Sequence, residues 1–244
     1  MDPQARKVKF LKVWGLSELE VKDKINQISW EPGLSVKITC DRGEVHVQIE
    51  SLALPDEVEK KIETAEERIR EKLGDNIFGC DEETMEKVVG ELLMQRKITL
   101  SLAESCSGGL VSHRITNVPG ISKCYLCGVV SYSNESKSMF LKVPPELIKE
   151  RGAVSPEVAL KMAEGIRQVT GADLSVGITG IAGPSGGSSE KPVGLVYIAL
   201  STKEGTIVRK NIFSGDRETI KWKTSQTALD LLRRFLLGKI TIKS

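Results

Sequence analysis

Residues 98–109 read Ile98-Thr99-Leu100-Ser101-Leu102-Ala103-Glu104-Ser105-Cys106-Ser107-Gly108-Gly109. Ile98–Ala103 has the length and apolar content of a strand, and Gly108–Thr116 after it reads as a short helix. A strand that passes into a helix through a Ser/Gly turn sets an α/β pattern, and the rest of the chain continues it. Cys124–Tyr132 is a mostly apolar run, which predicts a buried strand. Two short helices are expected at 135–141 and 145–150. Ser155-Pro156-Glu157 starts a longer helix and Gly171 stops it. Leu174–Thr179 is again a buried strand and runs into the glycine-rich segment Gly180–Gly187. Val193–Leu200 and Thr206–Phe213 form a hairpin around Lys203-Glu204-Gly205, and a last helix covers about 216–237. The expected fold is a three-layer α/β/α domain over 76–244 with a mixed sheet, since its last two strands are joined by a hairpin.

Upstream the pattern changes. Lys7–Val13 alternates polar and apolar residues, as a half-buried strand does. Ser17 with Glu20 is a capping box for a helix over 18–28. Val36–Thr39 and Glu44–Ile49 alternate again and meet at the tight turn Asp41-Arg42-Gly43. Pro55 opens a long charged helix that reaches Leu73 and closes at Gly74. The order βαββα predicts a small α+β module over residues 1–75. Asp81 is the expected cap of a further helix to about Arg96.

Composition sets outer bounds. With 244 residues, 40% hydrophobic and 28% charged, the chain can bury a real core. No apolar run approaches the ~18 residues of a membrane helix. Lys7, Lys9 and Lys12 interrupt the first apolar residues, so no signal peptide and a cytoplasmic location are expected. Five irregularly spaced cysteines argue against a disulfide framework. Residues 1–75 hold 13 Lys and Arg against 16 Asp and Glu, and residues 76–244 hold 22 against 17. The acidic first part is a poor phosphate-backbone binder, so nucleic acid is not an expected partner. The basic second part favours a small anionic ligand.

Four segments carry residues suited to chemistry. In Glu104–Gly109 a serine sits at a strand-to-helix turn, where backbone amides can stabilise an anion; the same pattern also suits a plain N-cap serine. Of the two histidines, His46 lies in the first module and His113 lies about 12 Å along the helix axis from Ser105, which argues against a Ser-His-Asp triad. A desolvated lysine is the alternative base. Ser131-Tyr132-Ser133-Asn134-Glu135-Ser136-Lys137 offers Lys137 and Tyr132 at a strand end, though a surface loop would read the same. Gly177–Gly187, with Thr179, Gly180, Gly183 and Pro184, suits a phosphate or sugar, or a flexible connector. Phe213-Ser214-Gly215-Asp216-Arg217 places Arg217 at a helix start. Cys124-Tyr125-Leu126-Cys127 is a lone CxxC, more consistent with structural cysteines than with a metal site.

Taken in order, these segments resemble the C-terminal domain of the competence/damage-inducible protein CinA, a family whose stand-alone members are nicotinamide-nucleotide amidohydrolases. The resemblance runs from about Asp81 to Leu236. It rests on the segments above together with Arg151-Gly152-Ala153-Val154-Ser155 and Glu190-Lys191-Pro192-Val193-Gly194. It implies hydrolysis of the carboxamide of nicotinamide mononucleotide by a Ser/Lys pair with a nearby tyrosine. Those roles fall on Ser105, Lys137 and Tyr132, with Glu104, Ser107, Gly108, Gly109, Thr179, Gly180, Gly183, Pro184 and Arg217 around the substrate. It further implies a homodimer or larger homo-oligomer and calls for neither metal nor cofactor. Ser107 stands where the family usually has threonine. Residues 1–75 resemble the KH-like middle module of long members, but hold none of the GxxG loop that a nucleic-acid-binding KH domain needs. The pyrophosphatase activity associated with the front domain of long members is not carried over. A non-catalytic adaptor in competence or damage response is the rival reading.

Overall fold

The computed structural model describes residues 5–242, and its contacts divide the chain after Met85. The first unit contains β1 (Ala5–Val13), α1 (Glu18–Ile25), β2 (Leu34–Asp41), β3 (Glu44–Ala53), α2 (Pro55–Leu73) and β4 (Ile77–Cys80). Its antiparallel sheet has the order β2-β3-β1-β4. The alternation read from the sequence buries Val45, Val47 and Ile49 of β3, with Leu11 and Val13 of β1, against Ile62, Ala65 and Ile69 of α2. The expected capping box at Ser17 and Glu20 is present.

Two expectations for this unit are corrected. The module is βαββαβ rather than βαββα, and it extends past residue 75, because β4 pairs with β1 through Leu11–Cys80 and Lys12–Gly79. Asp81 does not cap the next helix. It lies at φ 47, and its carboxylate accepts the Phe10 N–H at 2.9 Å, so it closes the end of the β1–β4 pair. The helix itself, α3, starts at Met85 and ends at Arg96.

The second unit is the expected α/β domain. Its strands are β5 (Leu100–Glu104), β6 (Tyr125–Val130), β7 (Leu174–Gly180), β8 (Leu195–Thr202) and β9 (Gly205–Ile212), in the order β6-β5-β7-β8-β9. β6, β5 and β7 are parallel, and β8 and β9 are antiparallel, so the sheet is mixed. The helices are α4 (Leu110–Thr116), α5 (Asn134–Leu141), α6 (Pro145–Arg151), α7 (Pro156–Thr170) and α8 (Arg217–Leu236). β7 is covered on both faces. Its small residues face α7: Ser175 Oγ donates to Ala163 O at 2.6 Å, and a Cβ on Gly177 would strike Ala159 O. Leu174, Val176 and Ile178 alternate to the opposite face, where α4 and α8 pack together. There Arg114 ties three helices. Its guanidinium meets Glu86 at 2.6 Å, Ser225 at 2.8 Å and Gln226 at 2.6 Å, and stacks 4.3 Å over Trp222.

β6 corrects a third expectation. It is an edge strand whose residues alternate between half-buried and exposed, with Leu126 and Val130 nearly half exposed. An apolar run signals a strand, but its place in the sheet is set by the order of the other strands.

α5 and α7 approach so closely at Gly165 that a Cβ there would run into Leu141 O. Alanine is the better helix former by about 1 kcal/mol. Overpacking against backbone costs about 1–3 kcal/mol. Gly165→Ala is therefore expected to lower stability, with a reduced urea midpoint and an unchanged slope. An unchanged or raised midpoint would show that the two helices can separate freely.

Candidate active site

The carboxyl ends of three parallel strands meet at one place, where open α/β sheets bind their ligands. β5 delivers Ser105, the segment after β6 delivers Tyr132, Asn134 and Lys137, and β7 delivers Thr179 and Gly180. Together with Arg217 from the start of α8 they line a cavity of about 340 Å³.

Lys137 lies in the first turns of α5. Ser133 caps that helix by accepting the Ser136 N–H at 3.1 Å. Helical side chains lean toward the N-terminus, so the lysine folds back over the strand end that precedes its helix. Its Nζ donates to Ser131 O at 2.7 Å, lies 3.5 Å from Tyr132 O and stands 3.2 Å from Ser105 Oγ. The side chain is 1% exposed. Burial pushes the amine's pKa below its ordinary 10.5, against weaker upward pulls from Cys106 and Glu135. A neutral amine has two hydrogens and one lone pair. With the hydrogens turned to the two carbonyls, the lone pair is left for the Ser105 hydroxyl.

The turn around Ser105 is built by residues that do not line the cavity. Glu104 is fully buried. Its carboxylate accepts the N–H groups of Val111 and Ser112, at 3.1 and 2.8 Å, and the Ser112 hydroxyl at 2.6 Å. It therefore does the work of an N-cap for α4, which Gly109, lacking a side chain, cannot do. This corrects its assignment to the substrate. Ser107 is fully buried, with a hydroxyl that meets no partner among the described residues. Gly108 donates its N–H to Ser105 O at 3.0 Å, and both Gly108 and Gly109 have positive φ. Ser107, Gly108 and Gly109 thus shape the nucleophile turn, outside the cavity wall.

The opposite wall is the segment after β7. Thr179 donates its hydroxyl to Ala153 O at 2.7 Å and pins that loop to the strand. Gly183 O accepts one Arg217 nitrogen at 2.7 Å, and the other terminal nitrogen donates to the Tyr132 hydroxyl at 2.9 Å. Arg217 therefore bridges the segments after β6 and β7. Tyr132, 61% exposed, sits at the rim with its hydroxyl on Arg217. Pro184 follows a cis peptide bond and lies outside the cavity lining. Asn134, Ala153, Val154, Ser185 and Gly186 also line the cavity and were not singled out from the sequence. Asn134 was visible beside Lys137; Ala153 and Val154 carry no chemical signal.

Cys106, the neighbouring thiol, is buried, and that burial pushes its pKa up to about 12. Among the described residues no group of His, Cys, Asp or Glu is arranged to hold a metal ion, and no helix is long and apolar enough to cross a membrane.

Fold and site are those of an α/β domain with a buried serine–lysine pair at the carboxyl edge of its sheet. The chain belongs to the CinA family. Residues 82–236 match the CinA C-terminal domain, and residues 8–79 match the damage-inducible protein CinA KH domain. It is 47% identical over 227 residues to a putative competence-damage inducible protein of Moorella thermoacetica, covering 93% of this chain and 55% of the relative. It is 43% identical over 233 residues to a CinA-like protein of Desulfotalea psychrophila, covering 94% and 56%. The chain thus spans about half the length of these relatives. A CinA superfamily protein from Klebsiella pneumoniae superposes with a TM-score of 0.61 at 30% identity, over 63% of this chain and 96% of that one. The competence/damage inducible protein CihA from Agrobacterium tumefaciens gives 0.59 at 35% identity, over 62% and 94%.

Two outcomes follow from this geometry. Glu104→Gln replaces a charged acceptor of three hydrogen bonds, each worth about 1.5–3 kcal/mol at most, so a stability loss of about 2 kcal/mol is expected by urea unfolding. Full stability in that variant would mean α4 needs no cap. Iodoacetamide at about pH 8 should alkylate exposed Cys40 and spare Cys106, because the thiolate is the reactive form. Mass spectrometry of the digest reads this, and rapid labelling of Cys106 would show a thiolate there.

Proposed function

We propose that this domain is a metal-independent serine amidohydrolase acting on the carboxamide of a nicotinamide nucleotide, with the mononucleotide as substrate. The observation that carries the reading is the buried Lys137 amine, held by carbonyls and facing Ser105 Oγ at 3.2 Å. Burying an amine is costly, and a lysine with no ion pair among the described residues, set against a hydroxyl, is suited to proton transfer. The family supplies the substrate through the motif positions of Ser105, Lys137 and Tyr132.

Neutral Lys137 takes the proton of Ser105 as Oγ attacks the amide carbon. The oxyanion is held by backbone amides at Ser105 and Cys106, the part of the turn that lines the cavity, since the Gly108 N–H is spent on Ser105 O. Lys137 returns the proton to the amide nitrogen as the C–N bond breaks, and ammonia leaves. Tyr132 is the less suitable donor, since its hydroxyl meets Arg217 at the rim. Water, deprotonated by Lys137, then opens the acyl-enzyme to nicotinate mononucleotide and restores Ser105. The cavity lining includes the Arg217 guanidinium and no carboxylate among the described residues, which favours an anionic substrate. Arg217 keeps three of its five N–H donors beyond its two bonds and is suited to the phosphate.

The test is ammonia release from nicotinamide mononucleotide. Ser105→Ala is expected to lose nearly all turnover, and Lys137→Arg likewise, since arginine keeps its proton at any working pH. The rate should rise with pH through the lowered Lys137 pKa and level off above it, because only the deprotonated amine is a base. A fully active Lys137→Arg, or a rate that falls across that range, would end the dyad proposal. A folded protein with no amidase activity would favour the adaptor role suggested by the relatives' names.

A further inference from the structure

The backbone and the side chain of Glu104 serve different halves of the serine–lysine pair. Its carbonyl accepts the Ser131 N–H at 2.8 Å, and Ser131 O accepts Lys137 Nζ at 2.7 Å, so the base is referred to the end of β5 through main-chain groups. Ser105 lies beyond that link, in a turn with two positive-φ glycines, and its direction depends on how the ends of the turn are held together. The Glu104 carboxylate spans them, from the last residue of β5 to the first turn of α4. Ser112 supplies two of the three bonds in that clasp, its N–H at 2.8 Å and its hydroxyl at 2.6 Å, both on Oε1. The same hydroxyl is lodged against β6. A Cβ on Gly128 would stand 2.5 Å from Ser112 Oγ and 2.0 Å from the Tyr125 hydroxyl, so both oxygens occupy space that only glycine leaves open. Burial pushes the Tyr125 hydroxyl up to about 12, so it stays neutral in the neighbourhood of the Glu104 carboxylate. β6 is the strand that runs on to Ser131 and Lys137, and its Gly128 pairs with Leu102 of β5.

We propose that Ser112 is a positioning residue for the nucleophile: wedged between the Glu104 carboxylate and Gly128, it sets the Ser105 turn against the strand that carries the base, and so fixes the separation of Ser105 and Lys137. The proposal rests on the serine–lysine reading for its chemistry. Ser112 does not line the cavity, so it acts through Glu104 and the turn. Proton transfer needs hydrogen-bond reach, and a misplacement of about 1 Å in a reacting group can cost about 100-fold. Without the Ser112 hydroxyl, Glu104 keeps the N–H groups of Val111 and Ser112, so α4 stays capped while the turn loses its wedge against β6. The opposite wall of the cavity, with Thr179, Gly183 and Arg217, is untouched by that change, so the loss belongs to kcat rather than to KM.

The experiment uses the full chain with Ser112→Ala, Gly128→Ala and the two together. Ammonia release from nicotinamide mononucleotide gives kcat and KM. Labelling of Ser105 by a fluorophosphonate, followed by mass spectrometry of the digest, reads the nucleophile without the substrate. Ser112→Ala is expected to lower kcat about 5- to 50-fold with KM held within about two-fold, and to slow Ser105 labelling by a similar factor. Gly128→Ala drives the Ser112 hydroxyl from its place and is expected to give the same signature. Because both act on one contact, the double variant should fall well short of the product of the single losses. A purely structural role would lower the urea midpoint and leave kcat and the labelling rate of the folded protein unchanged, which would overturn the proposal, as would a loss confined to KM. If Gly128→Ala does not fold, Ser112→Ala decides alone. If the protein labels at Ser105 but releases no ammonia, the substrate reading fails and the labelling rates still decide Ser112. No labelling of the unmutated protein would remove the nucleophile and, with it, the residue said to position it.

Discussion

An amine that is 1% exposed, with no ion pair among the described residues, is the constraint around which this domain is arranged. Taking a charged ammonium out of water costs several kcal/mol even after relaxation, on the order expected for any buried ion. The protein could avoid that penalty with a carboxylate partner, but a carboxylate would hold the proton on Lys137. It uses instead the carbonyls of Ser131 and Tyr132, which orient the amine without giving a full charge to stabilise it. Burial lowers the pKa of the amine and so favours loss of its proton, which in the proposed mechanism leaves a base facing the Ser105 hydroxyl. Stability and reactivity are opposed at this residue, as they often are at functional sites.

Holding Lys137 there requires α5 to be fixed at both ends. Its first turn is capped by Ser133, and its last residue, Leu141, is pressed on Gly165 of α7. α7 in turn lies close on β7 because Gly177 has no side chain to keep it away. Small residues thus draw the helical layer toward the sheet and carry the lysine to the serine. On the other side of the nucleophile, the Glu104 carboxylate secures α4, and the Arg114 cluster secures α4 to α3 and α8. Serine and lysine reach a 3.2 Å separation from elements 32 residues apart in the chain, with no direct covalent restraint between them.

Much of this was legible in the sequence where the signal is local. Ser155-Pro156 and Gly171 bound α7 because capping and φ restriction act within one turn. The apolar run before Gly180 reads as β7, and the alternation in β3 picks out the residues that face the first core. The candidate residues drawn from separate motifs include Ser105, Tyr132, Lys137, Thr179, Gly180, Gly183 and Arg217, all of which line one cavity. What could not be read depends on partners distant in sequence. β4 is four residues with no alternation, and it is a strand only because β1 offers it an edge. The exposure of β6 follows from its outer place in the sheet. Glu104 was read as a substrate contact because a motif records that a residue is present, not which way it points. Its side chain turns inward to the backbone of α4.

The balance of charge at the cavity bears on how the base works with its substrate in place. A free site lined by Lys137 and Arg217, without carboxylates, favours the neutral form of the lysine. A phosphate entering that site brings up to two negative charges, and an anion near an amine raises its pKa. Left unscreened, the proposed nucleotide substrate would therefore tend to protonate the base that the proposed mechanism needs. Arg217 at the rim opposes this. A guanidinium or ammonium in contact with the phosphate cancels most of its field at the distance of Ser105, since a compact ion pair acts at range as a dipole. Arg217 is anchored at the rim by its hydrogen bonds to Gly183 O and the Tyr132 hydroxyl, which hold the compensating charge beside the site. In this reading Arg217 does more than choose the substrate. It allows a lysine to remain a base while an anion is bound beside it.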